Sequence, residues 1–231
     1  MDEDISRLRT EYADRAQRLA GSDIYSVFNR ANLFAVQNRQ RAVLALLGSL
    51  GYHNLGNLRI LEMGCGKGGV LTEFLSFGAS AYNLFGIDLL PVSLQAAHKI
   101  FAGLNLANAN GANLPFPART FDLVFQYTAI SSILDQDLRS KICADMIRVT
   151  RAGGLILSYD FWLNPTNHQT RGLRKSDIQN LFPGCNFKFW KITLAPPITR
   201  RIVPISWMLA QVLENINILN SHYLTAIMPN K

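Results

Sequence analysis

Residues 59 to 69 read Arg-Ile-Leu-Glu-Met-Gly-Cys-Gly-Lys-Gly-Gly, and the next apolar run closes on Asp88. A strand ending in an acid, a glycine loop that opens a helix, and a second strand ending in a carboxylate make half of a nucleotide-binding α/β unit. The loop must turn sharply beside a ligand, and Gly64, Gly66, Gly68 and Gly69 give it backbone without Cβ. Asp88 then stands where an acidic side chain accepts hydrogen bonds from both hydroxyls of a ribose. The pairing predicts an adenosine-containing ligand.

Gly64, Gly66 and Gly69 also satisfy G-x-G-x-x-G, which leaves an NAD(P)-binding oxidoreductase open. Glu62 separates the two readings. A carboxylate two residues before the first glycine repels a pyrophosphate but suits the cationic amino-acid end of S-adenosylmethionine. A third reading, a protein that binds S-adenosylmethionine and acts through a partner without catalysis, also stands, because fold does not fix function.

From about Leu58 to Phe161 the chain resembles the class I S-adenosylmethionine-dependent methyltransferases, and in particular their small-molecule branch. Leu61-Glu62-Met63-Gly64-Cys65-Gly66-Lys67-Gly68 is similar to the first motif of that family, and Gly86-Ile87-Asp88 to the second. Ala109-Asn110-Gly111-Ala112-Asn113-Leu114-Pro115-Phe116 resembles the third and runs into Phe121-Asp122-Leu123-Val124; Arg151-Ala152-Gly153-Gly154 precedes the fifth strand. Two positions depart from the pattern. Asn110 stands where the family has an acid on the adenine amino group, so that bond loses its charge assistance. Ala152 replaces a proline, which concerns only the local turn.

The resemblance implies a Rossmann-like fold with a mostly parallel seven-stranded sheet, helices on both faces and an antiparallel edge. It implies S-adenosyl-L-methionine as cofactor. Glu62, Met63 and the Gly64, Cys65 and Gly66 backbone would hold the methionine moiety, Asp88 and Leu89 the ribose side, and Asn110 and Gly111 the adenine. Gln126 would flank the methionine portion or the reaction centre. Looser similarity, in Tyr25-Ser26-Val27-Phe28-Asn29, Asn164-Pro165-Thr166-Asn167 and Leu194-Ala195-Pro196-Pro197, links the chain to bacterial methyltransferases found with polysaccharide or natural-product genes. That similarity leaves the acceptor open, and O-methylation of a small molecule or sugar is the favoured reading.

Periodicity agrees with the fold class independently. Strand-like runs near 58–63, 83–88, 107–110, 121–127 and 154–161 alternate with helical ones near 67–77, 92–103 and 135–149, which predicts a parallel sheet. At 231 residues with 48% hydrophobic content, the chain suits one domain. Residues 1–52 read as an N-terminal helical extension, with Ile5, Leu8 and Tyr12 at helical spacing, and 53–194 with 222–231 as the core. Residues 195–221 read as an inserted segment whose helix carries Ile205, Met208, Leu209, Val212 and Ile216 on one face. That stripe packs on the edge of the domain or lids the substrate pocket.

Methyl transfer needs a base only if the acceptor must lose a proton. Tyr127, Asp160 and His168 are the candidates, because they fall at strand ends or in a loop on the ligand side of such sheets, and histidine is the residue type best suited to act as a base near neutral pH. His53, His98 and His222 read as structural or surface residues. No His/Asp/Glu pattern has metal spacing, so no metal is expected. Asp135-Gln136-Asp137 is a D-x-D, but it opens a helix and reads as capping. Cys65, Cys143 and Cys185 lack disulfide or C-x-x-C logic and fit a reducing compartment.

The balance of 23 basic against 16 acidic residues gives a net charge of +7, but the basic residues are scattered. They read as a solvated surface rather than a nucleic-acid or membrane footprint. The N-P-P-Y type segment of amino-group nucleic-acid methyltransferases is replaced by Gln126-Tyr127-Thr128-Ala129. A small-molecule acceptor is therefore expected, with no nucleic acid. No apolar run is long enough for a transmembrane helix, and the acidic start at Asp2, Glu3 and Asp4 opposes a secretory signal, so a cytoplasmic protein is expected. The acceptor atom and oligomeric state are not written in the sequence.

Overall fold

The computed structural model describes residues 2–164 and 167–230. Pro165 and Thr166, the middle of the Asn164–Asn167 similarity, lie outside them. Two helices come first, α1 (Asp2–Arg18) and α2 (Arg30–Ser49), the second capped by the Asn29 side chain, which accepts from the Ala31 and Asn32 amides. Alternating units follow: β1 (Ile60–Met63), α3 (Gly69–Ser76), β2 (Leu84–Asp88), α4 (Pro91–Ile100), β3 (Asn105–Asn108), β4 (Phe121–Tyr127), α5 (Gln136–Val149) and β5 (Thr150–Phe161). The last third holds α6 (Lys175–Leu181), β6 (Cys185–Leu194), α7 (Pro196–Ile202), α8 (Trp207–Asn215) and β7 (Asn220–Pro229).

Among the described residues the strands form one seven-stranded sheet in the order β3-β2-β1-β4-β5-β7-β6. Only β7 runs antiparallel, to β5 on one side and β6 on the other. The Rossmann-like class expected from the sequence is the fold observed. The central strands are buried on both faces, β1 along its whole length and β4 up to Gln126, which is why they read as continuous apolar runs. β3 begins and ends two residues earlier than its sequence pattern suggests. It is the sheet's edge, with Asn105 and Asn108 exposed, so burial leaves little hydrophobic signal there.

Successive strands are added outward from β1 on one side and from β4 on the other. The reversal opens a crevice beyond the carboxyl ends of β1, β2 and β4. Because β6 is parallel to β5, the α7–α8 segment leaves the sheet at that same end. There Phe34 of α2 packs edge-on against Trp207 of α8, with ring centroids 5.1 Å apart, in a satellite core with Leu194, Val203 and Ala210.

Among the described residues the inserted stripe faces neither the sheet nor the crevice. Trp207, Ala210 and Leu213 supply the face of α8 that packs on α2, so Ile205, Met208, Leu209, Val212 and Ile216 point outward and are exposed. A nine-residue helix apolar on most sides cannot bury them all against one neighbour.

Candidate active site

The glycine loop is shaped by backbone sterics. Gly64, Gly66 and Gly68 have φ of +75°, +52° and +78°, a region that side chains rarely adopt. The Gly64 and Cys65 amides both donate to the Ile87 carbonyl at 2.9 Å, stitching the loop to the end of β2. A Cβ on Gly66 would meet nothing within 4 Å, so the loop presents bare backbone to open space. Asp88 holds the loop in place. One carboxylate oxygen accepts from the Gly66 amide and the other from the Leu90 amide, each at 2.8 Å. Burial raises its pKa, and these backbone bonds work against the rise.

An open cleft adjoins the loop, with about 830 Å³ of empty space, its mouth included. Met63, Gly64, Gly66, Asp88, Leu89, Asn110, Gly111 and Tyr127 all line it, so eight of the residues singled out in the sequence meet in one place. The Asn110 side-chain oxygen accepts from the Ala112 amide at 3.0 Å and keeps a second lone pair for a ligand.

Glu62 lies behind the loop, buried on the face of β1 opposite Met63. Its Oε2 has no hydrogen-bond partner among the described residues. Burial, with Glu73 and Asp88 adding like charge, raises its pKa well above the usual carboxylate range, and Arg39 pulls the other way. Arg39, from α2, pairs with Glu73 of α3 and lies over the rings of Tyr127 and Tyr159, at 5.2 and 5.7 Å. Burial works against its charge, but Glu73 and the two tyrosines outweigh that and hold it cationic. The Leu71 amide also favours the ionised form, so the carboxylate, at the foot of the glycine loop, has one buried oxygen free for a cationic group. The arrangement fits the amino-acid end of S-adenosylmethionine.

Several expected residues sit elsewhere. Cys65 is buried against β2, and burial pushes its thiol up, far from a reactive thiolate. Gln126 is fully enclosed: its Nε2 donates to Ser158 Oγ at 2.7 Å and to Asp160 Oδ2 at 3.1 Å, while its Oε1 accepts from the Ala129 amide at 2.8 Å. Asp160 Oδ2 also accepts from the Ser131 amide at 3.1 Å. Burial pushes its carboxyl up to about 6, although these bonds oppose the shift. Gln126 and Asp160 therefore brace the loop after β4 from behind and lie outside the cleft wall. His168 is exposed on a turn and does not line the cleft either. Tyr127 does, but burial pushes its phenol far up, so it meets a ligand as a neutral hydroxyl.

The remaining wall is apolar. Ile5, Leu8 and Tyr12 of α1 form it together with Ala129, Ile133, Leu138 and Ile142, against which they pack. The helix is pinned beside the loop after β4 by two side chains. Asp4 accepts from the Leu134 amide at 3.1 Å, and Arg7 donates to Gln169 Oε1 at 2.8 Å and to the Ser132 carbonyl at 2.6 Å. The stripe on α1 is legible in the sequence, but its destination is not. Among the described residues, the cleft wall takes nothing from 195–221. Asp135 does cap α5, accepting from the Leu138 amide at 2.9 Å. No group of three or more His, Cys, Asp or Glu converges as a metal site among the described residues.

Residues 60–154 match a family model described as a methyltransferase domain. The matched segment is less than half of the chain and holds the glycine loop, Asp88 and β1 to β4 of the Rossmann-like methyltransferase fold. A sterol 4-C-methyltransferase of Caenorhabditis elegans is 28% identical over 110 residues, 45% of this chain and 31% of that protein. A phthiotriol/phenolphthiotriol dimycocerosates methyltransferase of Mycobacterium leprae is 31% identical over 116 residues, 49% of this chain and 41% of that one. These alignments span less than half of either relative. A solved S-adenosylmethionine-dependent methyltransferase from Clostridium acetobutylicum shares the fold, with a TM-score of 0.62 and 13% identity over 92% of this chain and 98% of its own.

Proposed function

We propose that the protein transfers a methyl group from S-adenosylmethionine to an oxygen of a small molecule with an apolar body. The observation that carries this reading is Glu62, a buried carboxylate whose Oε2 lacks a partner among the described residues, behind a loop that offers bare backbone to an open cleft. Glu62 would receive the cofactor's ammonium group, Asp88 its ribose hydroxyls, and Asn110 with Gly111 its adenine. When bound, the cofactor supplies a methyl group already activated on a sulfonium.

The chain's own part is positioning. Among the described residues lining the cleft, Tyr12, Asp88 and Tyr127 carry the acidic or phenolic side chains. Asp88 is engaged with the loop, and burial keeps Tyr127 neutral. Tyr127 then orients an acceptor oxygen by a hydrogen bond rather than by removing its proton. The apolar wall from α1 and α5 excludes water and favours a hydrophobic acceptor over a bare sugar, whose hydroxyls would lose their hydrogen bonds there. Natural-product or lipid-like precursors fit that wall best.

The test is release of S-adenosylhomocysteine across a panel of phenols, sterols, hydroxylated lipids and sugars. Turnover concentrated among the apolar hydroxy compounds supports the reading. Tight cofactor binding with no release on any of them would favour a non-catalytic protein acting through a partner.

A further inference from the structure

The fold gathers what the sequence scatters. At the carboxyl end of the sheet, beside the β6–β7 edge, α8 turns an apolar face to solvent, with Ile205 79% and Met208 75% exposed and Leu209, Val212 and Ile216 continuing the row. Arg30 donates to the Pro204 carbonyl at 3.2 Å, which brings the preceding loop alongside, and Phe28 in that loop is 93% exposed. An apolar row of this extent is unusual on a surface without a partner.

The exposed charges around it are mostly basic. Within 195–221 the charged residues are Arg200, Arg201 and Glu214; the two arginines are exposed, while Glu214 is buried and accepts from Asn38 and the Thr193 amide. Arg30 adds a third exposed cation, and Lys191 reaches the segment by donating to the Ile218 carbonyl at 3.2 Å. Asp23 is the exposed acid in the loop before Phe28. Exposed aliphatic side chains flanked by cations match a surface that is apolar within and anionic at its rim. A second copy of this chain fits less well, since a two-fold contact across the row would bring Arg200 and Arg201 toward their own equivalents.

We propose that the α7–α8 segment, with the loop at Phe28, docks the protein on the surface of an anionic phospholipid bilayer. The side chains of Ile205 and Met208 enter the headgroup boundary, and Arg30, Arg200 and Arg201 pair with anionic headgroups. Because this row and the cleft lie at the same end of the sheet, docking holds the cleft near the bilayer surface. The proposal rests on the exposed row and its charges, not on methyl transfer.

The full chain is sedimented with vesicles of phosphatidylglycerol and phosphatidylcholine, and with phosphatidylcholine alone. The wild type should pellet with the anionic vesicles, and less so as salt is raised. Ile205→Asp with Met208→Asp, or Arg200→Glu with Arg201→Glu, should weaken binding about tenfold or more. Each variant should keep the wild-type circular dichroism and affinity for S-adenosylmethionine, which shows that it is folded. Wild type left in the supernatant at low salt, or binding unchanged in both folded variants, overturns the proposal. So does a dimer by sedimentation velocity that Met208→Asp dissociates, which would give the row to a second copy.

Discussion

Replacing Glu62 by Gln should stabilise the ligand-free protein and weaken its hold on S-adenosylmethionine. The glutamine keeps the side chain's size but carries no charge into a buried position where Oε2 has no donor and Glu73 and Asp88 contribute like charge. An unsatisfied buried polar group costs about 1–3 kcal/mol, more when charged. Relief of even 1 kcal/mol raises Tm by about 2–4 °C for a chain of this length. Binding should move the other way. One charge-assisted hydrogen bond is worth about 1.5–3 kcal/mol, so Kd should rise roughly 10- to 150-fold. The raised pKa adds a signature, because a cationic ligand favours the ionised carboxylate and its binding should release protons. Calorimetry in buffers of different ionisation enthalpy reads both quantities. Unchanged Kd with no proton release in the wild type would refute the placement of Glu62 beside the ligand.

Asp88→Ala removes both the ribose acceptor and the clamp on the Gly66 amide; it should cost about 2 kcal/mol or more of cofactor affinity, roughly thirtyfold in Kd by the same titration. His168→Ala should leave kcat within about twofold, because the ring is exposed outside the cleft wall, and a tenfold loss would bring that loop into the reaction. Asp160 has its folded pKa raised from 3.8 to about 6, so its contribution to stability is complete below about pH 4 and is lost as pH rises through about 6. Asp160→Asn lacks that loss, and its stability relative to wild type in urea should improve by up to about 3 kcal/mol between pH 4 and pH 7.5. An unchanged difference between the two pH values would mean that Asp160 is not held in that state.

How far the sequence reaches depends on whether a feature is local. The glycine loop, Asp88 and the buried strands β1 and β4 are legible because each follows from spacing within a few residues. The two-residue displacement of β3 shows the limit, since an edge strand with exposed Asn105 and Asn108 loses the alternation that marks a buried one. Gln126 and Asp160 occupy the expected strand ends, but their role is set by Ser131 and Ser158, partners supplied by other segments. The stripes on α1 and α8 look alike as sequences. One closes the cleft and the other faces solvent, and only packing on α2 and the loops after β4 distinguishes them.

Binding of S-adenosylmethionine against NAD(P)H, titrated into the purified chain by calorimetry, tests the central claim most directly. The account predicts a one-to-one complex with S-adenosylmethionine, weakened by Glu62→Gln, and no heat from the nicotinamide nucleotides. Binding of the nicotinamide nucleotide alone would contradict it.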